Sequence, residues 1–179
     1  MTPIFIVGSD RSGTSVTKRI IYELLGKRRI PFEPRLLADG NLVKSPVVSL
    51  LKECTDKDLR MQASWIMRQY NISEERGWHM YFERKDMLNT IWSYLDKLKH
   101  DKSVVHLKEM FEFFHRKIAC EHGEEFIYAI DDTPSNVLII DLLVAMFPRC
   151  KVVHCIRDGR EVAASVISRQ WWGGAIDRH

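Results

Sequence analysis

Short apolar runs separated by polar segments predict the β-strands of this chain. Three runs are strong, at residues 3–7, 126–130 and 151–156, and a weaker fourth lies at 104–107. They are rich in valine and isoleucine and do not alternate with polar residues. Runs of this kind are typical of strands buried on both faces of a parallel sheet.

Apolar residues at helical spacing predict helices between these strands. The first helix follows the first strand and carries Val16 and Ile20. Residues 134–147 are apolar nearly all round, which predicts a well-buried helix that begins near Pro134, and a further helix is predicted at 158–170. The alternation of strands and helices predicts an α/β fold, built as a three-layer sandwich around a parallel sheet.

Residues 41–100 show helical spacing without a strand pattern. We therefore expect one domain over residues 1–179, with a helical insertion at about 41–100. The insertion is rich in tryptophan and methionine. These side chains either cover a ligand site or pack in the core, and the sequence leaves both interpretations open.

Composition narrows the functional classes. The 27 basic and 24 acidic residues give a net charge of +3, which is too small an excess for a nucleic-acid-binding surface. The sequence has no apolar stretch long enough to insert in a membrane and no pattern of a secretory signal. The four cysteines form no CxxC pair. We therefore expect reduced thiols and a cytoplasmic protein.

The segment GSDRSGTS, residues 8–15, lies between the first strand and the first helix. A loop in this place points backbone N–H groups and a helix N-terminus at one spot, where a phosphate or sulfate can bind. Its spacing matches the nucleotide-triphosphate loop GxxxxGK[ST], but Thr14 occupies the lysine position and a cation stands at Arg11 instead. The alternative is a plain turn in which Ser12 caps the helix.

A second candidate for anion binding follows the strand at 151–156. Arg157 comes at the carboxyl end of that strand, where open α/β sheets bind their ligands. Ser165 follows eight residues later, about two helical turns on, so it lies on the same side of the helix. The two can share a phosphate monoester. Otherwise, Arg157 forms an ion pair with Asp158 or Glu161.

Together, PIFIVGSDRSGTS and FPRCKVVHCIRDGREVAAS resemble the two nucleotide-binding motifs of sulfotransferases that depend on 3′-phosphoadenosine 5′-phosphosulfate (PAPS), most closely the tyrosylprotein sulfotransferases and similar bacterial enzymes. The resemblance implies a fold like that of the phosphate-loop NTPases and transfer of a sulfuryl group to an acceptor hydroxyl or amine. It implies that the 3′-phosphate is held by Arg157 and Ser165. It implies that the 5′-phosphosulfate is held by Arg11, Ser12, Gly13, Thr14 and Ser15, with Arg11 also catalytic.

The resemblance also implies a general base. Glu33, in RIPFEPRLL, is similar to the Glu-x-Arg segment that supplies the base in tyrosylprotein-type enzymes, and Arg35 would then order the acceptor. A surface Glu–Arg pair is the alternative. His106 is a reserve candidate. PAPS would be the cosubstrate, no metal is needed, and the acceptor is a small molecule, a carbohydrate or a peptide.

The sequence departs from the family's pattern in two places. Bacterial relatives often carry a lysine before the Thr-Pro where this chain has Asp132, and Asp10 stands where proline is common. Lys18 or Arg19 could replace the missing cation, although a solvated helix face is the expected place for both. The family's closing basic segment does not follow the second motif, so we expect a domain that is incomplete at its C-terminus.

Two alternatives remain open at this point. One is a phosphate-loop nucleotide kinase or NTPase, because the apolar run that reaches Asp131 resembles a strand that positions Mg²⁺. The other is a non-catalytic nucleotide-binding fragment.

Overall fold

The architecture was obtained as a computed structural model, which describes residues 1–30, 32, 34–37, 51 and 54–168. These residues form an α/β protein with three parallel strands and six α-helices. The predicted fold class is therefore confirmed at this level. No helix in the described part of the chain is both long and apolar enough to cross a bilayer.

Three strands form the sheet in the order β2-β1-β3. They are β1 (Thr2–Gly8), β2 (Tyr128–Asp131) and β3 (Lys151–Cys155). Both outer strands pair in parallel with β1, so their carboxyl ends meet at one edge. The central strand β1 has β-branched and aromatic residues suited to a sheet that is covered on both faces. Its residues Phe5, Ile6 and Val7 are fully buried.

Strand β3 differs from the expectation of a strand buried on both faces. Residues Lys151, Val152 and His154 are exposed, and Val153 and Cys155 are only partly buried. Its outer position is not the reason, because β2 is also an outer strand among the described residues and is mostly buried. The faces of β3 have less cover, since the helix that follows it at Gly159–Ser168 buries only Val166.

Of the six helices, the first follows β1, the next three precede β2, the fifth lies between β2 and β3, and the last follows β3. They are α1 (Thr14–Leu24), α2 (Asp56–Met67), α3 (Arg84–His100), α4 (Val104–Glu121), α5 (Ile140–Met146) and α6 (Gly159–Ser168). Short 3-10 helices lie at Trp78–Met80 and Pro134–Ile139.

Two predicted elements are wrong. Residues 104–107 are the first turn of α4 and not a strand, because the Ser103 side chain accepts a hydrogen bond from the Val105 N–H and caps a helix there. The single helix predicted at 134–147 is a 3-10 helix followed by α5. The break falls at Ile139, whose backbone (φ −127°, ψ 25°) is not helical.

Helix α1 forms where its apolar spacing predicts, but its apolar residues do not face the interior. Val16 and Ile20 are exposed, whereas Thr14, Lys18 and Tyr22 make the buried face. These three residues are four apart, so they lie on one side of the helix. The side of α1 that meets the sheet therefore carries a charged residue.

Helices of the insertion share one hydrophobic cluster with the sheet. Trp78 is fully buried. The centroid of its ring lies 5.1 Å from the ring centroid of Phe32 and 4.8 Å from that of Phe114 in α4. The tryptophan at this position therefore packs in the core. Residues 41–50, 52 and 53 of the predicted insertion lie outside the described residues.

Candidate active site

The loop at 8–15 leaves the carboxyl end of β1 and turns into α1. The Ser12 N–H donates to the Ser9 carbonyl at 3.1 Å, which closes the turn. Arg11 and Gly13 have positive φ values of 65° and 105°. Gly8 pairs in register with Cys155 of β3, and a Cβ added to Gly8 would lie 2.5 Å from the Cys155 carbonyl oxygen. The loop is thus packed closely against the neighbouring strand.

The N-terminus of α1 has the arrangement that an anion needs. Gly13 is the N-cap, and no side chain accepts a hydrogen bond from the first turn. The Ser12 hydroxyl is buried and has no hydrogen-bond partner among the described residues, so Ser12 does not cap the helix. Backbone N–H groups of a first turn without a side-chain cap are donors for a bound phosphate or sulfate.

The second motif meets this loop because β3 lies beside β1. Arg11 Nε donates to Ser165 Oγ at 2.9 Å, and Arg157 Nη1 donates to the Arg11 carbonyl at 3.2 Å. Arg157 and Arg11 are 146 positions apart in sequence. Three of the predicted nucleotide-binding residues therefore contact one another, although their roles stay predictions.

Arg157 also forms the ion pair that the alternative interpretation expects. Its Nε donates to Glu161 Oε2 at 2.9 Å, one helical turn along α6. The same guanidinium contacts the loop through Nη1. Glu161 therefore holds the guanidinium in place beside the loop, since an arginine has five N–H donors and uses different ones for the two contacts.

Beneath the loop, Lys18 forms a buried ion pair that sequence reasoning did not expect. Lys18 Nζ donates to Asp132 Oδ1 at 2.7 Å and to the Phe32 carbonyl at 2.7 Å, and both charged side chains are at most 4% exposed. The expectation of a solvated position is wrong for Lys18. It is confirmed for Arg19, which is exposed and pairs with Glu23.

Two further titratable groups lie near this pair. Burial raises the pKa of Asp131 to about 6, although its Oδ1 accepts the Thr133 N–H at 2.8 Å. Burial, assisted by the charge of Lys18, lowers the pKa of His115 to about 3, so this imidazole is neutral. Because Asp132 is held by Lys18 and Asp131 is fully buried, the acids that end β2 are not presented as magnesium ligands usually are.

The segment that follows α1 returns to the same edge of the sheet. The Arg35 N–H donates to Thr133 Oγ1 at 3.2 Å, just after the end of β2. Arg35 has a positive φ of 48°. Glu33, the predicted base, lies outside the described residues. The reserve candidate His106 lies in the first turn of α4, with its Nε2 3.3 Å from Asp101 Oδ2.

A cavity of about 380 Å³ opens beside the loop. Ser15, Lys18 and Asp132 line one side of it, and the turn that carries Glu75 and Arg76 lines another. The insertion therefore contributes to a cavity at the candidate site. The sequence analysis had singled out Ser15, Lys18 and Asp132 of this lining, but it did not expect Lys18 and Asp132 to pair, and it missed the other lining residues. One signal was available, because an acid at the end of a buried strand needs a cation as partner.

These observations define an α/β protein in which basic and hydroxyl side chains gather at the carboxyl edge of a parallel sheet. The profile of the sulfotransferase family matches residues 3–177, and the chain belongs to that family. An uncharacterized protein of Aquifex aeolicus (strain VF5) is 24% identical to it over 169 residues. These residues cover 91% of this chain and 16% of that protein, so the chain spans a small part of its relative's length. No solved structure matches.

Proposed function

We propose that the chain transfers a sulfuryl group from PAPS to an acceptor hydroxyl or amine and releases adenosine 3′,5′-bisphosphate. The observation that carries the proposal is the meeting of the two motifs. Arg11 contacts Ser165, and Arg157 contacts the backbone of Arg11, across a long separation in sequence. Membership of the sulfotransferase family supports the reaction class.

In this proposal, each motif binds one anionic end of the nucleotide. Arg157 and Ser165 hold the 3′-phosphate, which distinguishes PAPS from ATP. The 5′-phosphosulfate is held by the loop residues Arg11, Ser12, Gly13, Thr14 and Ser15, together with the N–H groups at the start of α1. Arg11 Nε donates to Ser165 Oγ at 2.9 Å. The ligand oxygens would replace that contact.

We propose Glu33 as the general base that takes the acceptor's proton and Arg35 as the residue that orders the acceptor. The hydrogen bond from the Arg35 N–H to Thr133 supports the proposed role of Arg35, because this contact brings the segment to the carboxyl edge of the sheet. We also propose that the chain is most similar to the tyrosylprotein sulfotransferases. Its fold would be a three-layer sandwich like that of the phosphate-loop NTPases. A cytoplasmic location and a single domain over residues 1–179 are also part of the proposal. The acceptor would be a small molecule, a carbohydrate or a peptide.

Calorimetry with adenosine 3′,5′-bisphosphate tests the nucleotide site. We expect the wild-type protein to bind this nucleotide without added metal, and more tightly than it binds ATP with magnesium. Arg11→Ala and Arg157→Ala should each weaken binding by about 2 to 4 kcal/mol, roughly 30- to 1,000-fold, because each removes a charge-assisted contact to a phosphate.

Arg160→Ala is the matched control. Arg160 lies in the same motif as Arg157, but its side chain is 92% exposed and pairs with Asp158. Its removal should leave nucleotide affinity unchanged. Unchanged affinity in both Arg11→Ala and Arg157→Ala, or a preference for ATP with magnesium, would show that the proposed function is wrong.

A further inference from the structure

Lys18 is a buried charged residue, and burying a charge costs free energy that a functional role would explain. Its side chain is 4% exposed, and the ammonium is satisfied in part by Asp132 and by the Phe32 carbonyl. A buried ion pair contributes little net stability, because the desolvation of two charges offsets their attraction. An apolar pair would hold α1 against the end of β2 at least as well. The packing of the helix therefore does not explain the lysine.

The geometry of α1 brings the Lys18 ammonium toward the phosphate loop. Side chains on a helix tilt toward its N-terminus, so a lysine covers the turn before its own Cα. Lys18 follows Ser15 by three residues, and both line the cavity of about 380 Å³. Asp132 lies just beyond the carboxyl end of β2, the strand next to β1. The ammonium thus lies between the ends of two adjacent strands, on the same side as the loop.

The ammonium has one donor left for a ligand. A lysine carries three N–H donors, and Lys18 uses one for Asp132 and one for the Phe32 carbonyl. No third partner is present among the described residues. Among the described residues, three basic and two acidic ones line the cavity, with one more positive than negative charge: Lys18, Arg29, Arg76, Glu75 and Asp132. A small anion is the ligand class that fits this lining.

We propose that the cavity receives the sulfuryl group of PAPS and that Lys18 binds its oxygens, with Asp132 as a positioning residue that holds the ammonium in place. This inference rests on the proposed function, and it assigns the sulfuryl end of the donor to a residue of α1. The neutral His115 adds no second cation to compete for the ligand.

The test compares two nucleotides that differ in the sulfuryl group. PAPS carries it, whereas adenosine 3′,5′-bisphosphate does not. Calorimetry on the Lys18→Met variant should show PAPS affinity reduced by about 10- to 100-fold, the usual loss for a charged hydrogen bond. Affinity for adenosine 3′,5′-bisphosphate should stay within about threefold of the wild type. An equal loss for both nucleotides, or no loss for either, overturns the assignment.

Two further variants separate binding from folding. Lys18→Met combined with Asp132→Asn removes both charges, so that no uncompensated carboxylate stays buried, and should show the same selective loss of PAPS affinity. Arg19→Met is the control on the adjacent, exposed position and should bind both nucleotides normally. Wild-type PAPS affinity in the doubly substituted protein would overturn the proposal.

A measurement on the wild-type protein does not depend on the variants. In NMR spectra of protein with ¹⁵N-labelled lysine, the side-chain signal of Lys18 should shift more with PAPS than with adenosine 3′,5′-bisphosphate. Equal shifts contradict the assignment of the sulfuryl group to Lys18. A wild-type protein that binds neither nucleotide would instead refute the proposed function, and this inference with it.

Discussion

Gly8 is the residue on which the geometry of the loop most directly depends. It ends β1, and a Cβ there would lie 2.5 Å from the Cys155 carbonyl oxygen and 2.6 Å from Ser12 Oγ. The first of these neighbours is backbone in β3 and cannot move without disturbing the sheet. Absence of a side chain at Gly8 therefore allows the loop and the second motif to approach each other.

We predict that Gly8→Ala destabilises the protein by about 1 to 3 kcal/mol and weakens binding of adenosine 3′,5′-bisphosphate, because the loop must move away from β3. Urea unfolding and calorimetry measure the two effects. Gly26→Ala is the control, since Gly26 also has a positive φ (61°) but no atom lies within 4 Å of the added Cβ. It should cost only the backbone strain, about 1 kcal/mol, and leave nucleotide affinity intact. Normal affinity in Gly8→Ala would contradict this account.

At the scale of elements, the start of α4 shows how a local cap overrides an apolar run. The run at 104–107 contains two valines, which favour a strand. Ser103 precedes it, and its hydroxyl accepts the Val105 N–H at 3.2 Å. The helix then buries Leu107 and Met110 on one face. Burial along the whole helix outweighs the strand preference of its first two residues.

We predict that Ser103→Ala lowers the free energy of unfolding by about 1 kcal/mol through loss of this cap. Ser93→Ala is the matched control. The Ser93 hydroxyl lies in the middle of α3, is exposed and donates to the Thr90 carbonyl within the same helix, so its removal should be neutral or slightly stabilising. Urea unfolding of both variants checks the difference, and equal stabilities would show that the cap has no effect.

At the scale of the whole molecule, an aromatic cluster joins the insertion to the rest of the core. Trp78 contacts Phe32 from the segment after α1, Phe114 from α4, and Phe82 and Tyr81 from the insertion itself. The cluster thus connects three stretches that are distant in sequence. We infer that the insertion and the sheet unfold together.

We predict that Trp78→Ala costs about 3 to 5 kcal/mol, since it removes a fully buried aromatic side chain from this cluster. Denaturant unfolding followed by circular dichroism should still show one transition, at lower denaturant. Trp92→Ala is the control, because Trp92 in α3 is 36% exposed and should cost much less. Two separate transitions in the wild-type protein would contradict the inference of one cooperative unit.

Much of the fold follows from local pattern, and the errors have identifiable causes. The runs that become β1, β2 and β3 and the spacing that becomes α1 and α6 are visible in the sequence. The sequence does not show that β3 lies at the edge of the described sheet or that Ile139 interrupts a helix. Both features depend on contacts with residues elsewhere in the chain, which the local pattern of apolar and polar positions does not identify.

The candidate site divides in the same way. The sequence by itself determines the glycine spacing in the loop and the interval from Arg157 to Ser165. Local backbone geometry places these residues where a strand ends and a helix begins. The burial of Lys18 was decided by the tertiary structure. Its partner Asp132 is 114 residues away, and only the adjacency of β2 to β1 brings that carboxylate to α1. A charge is stable in the interior only where the fold supplies its counter-charge, and the sequence by itself does not say which residues meet.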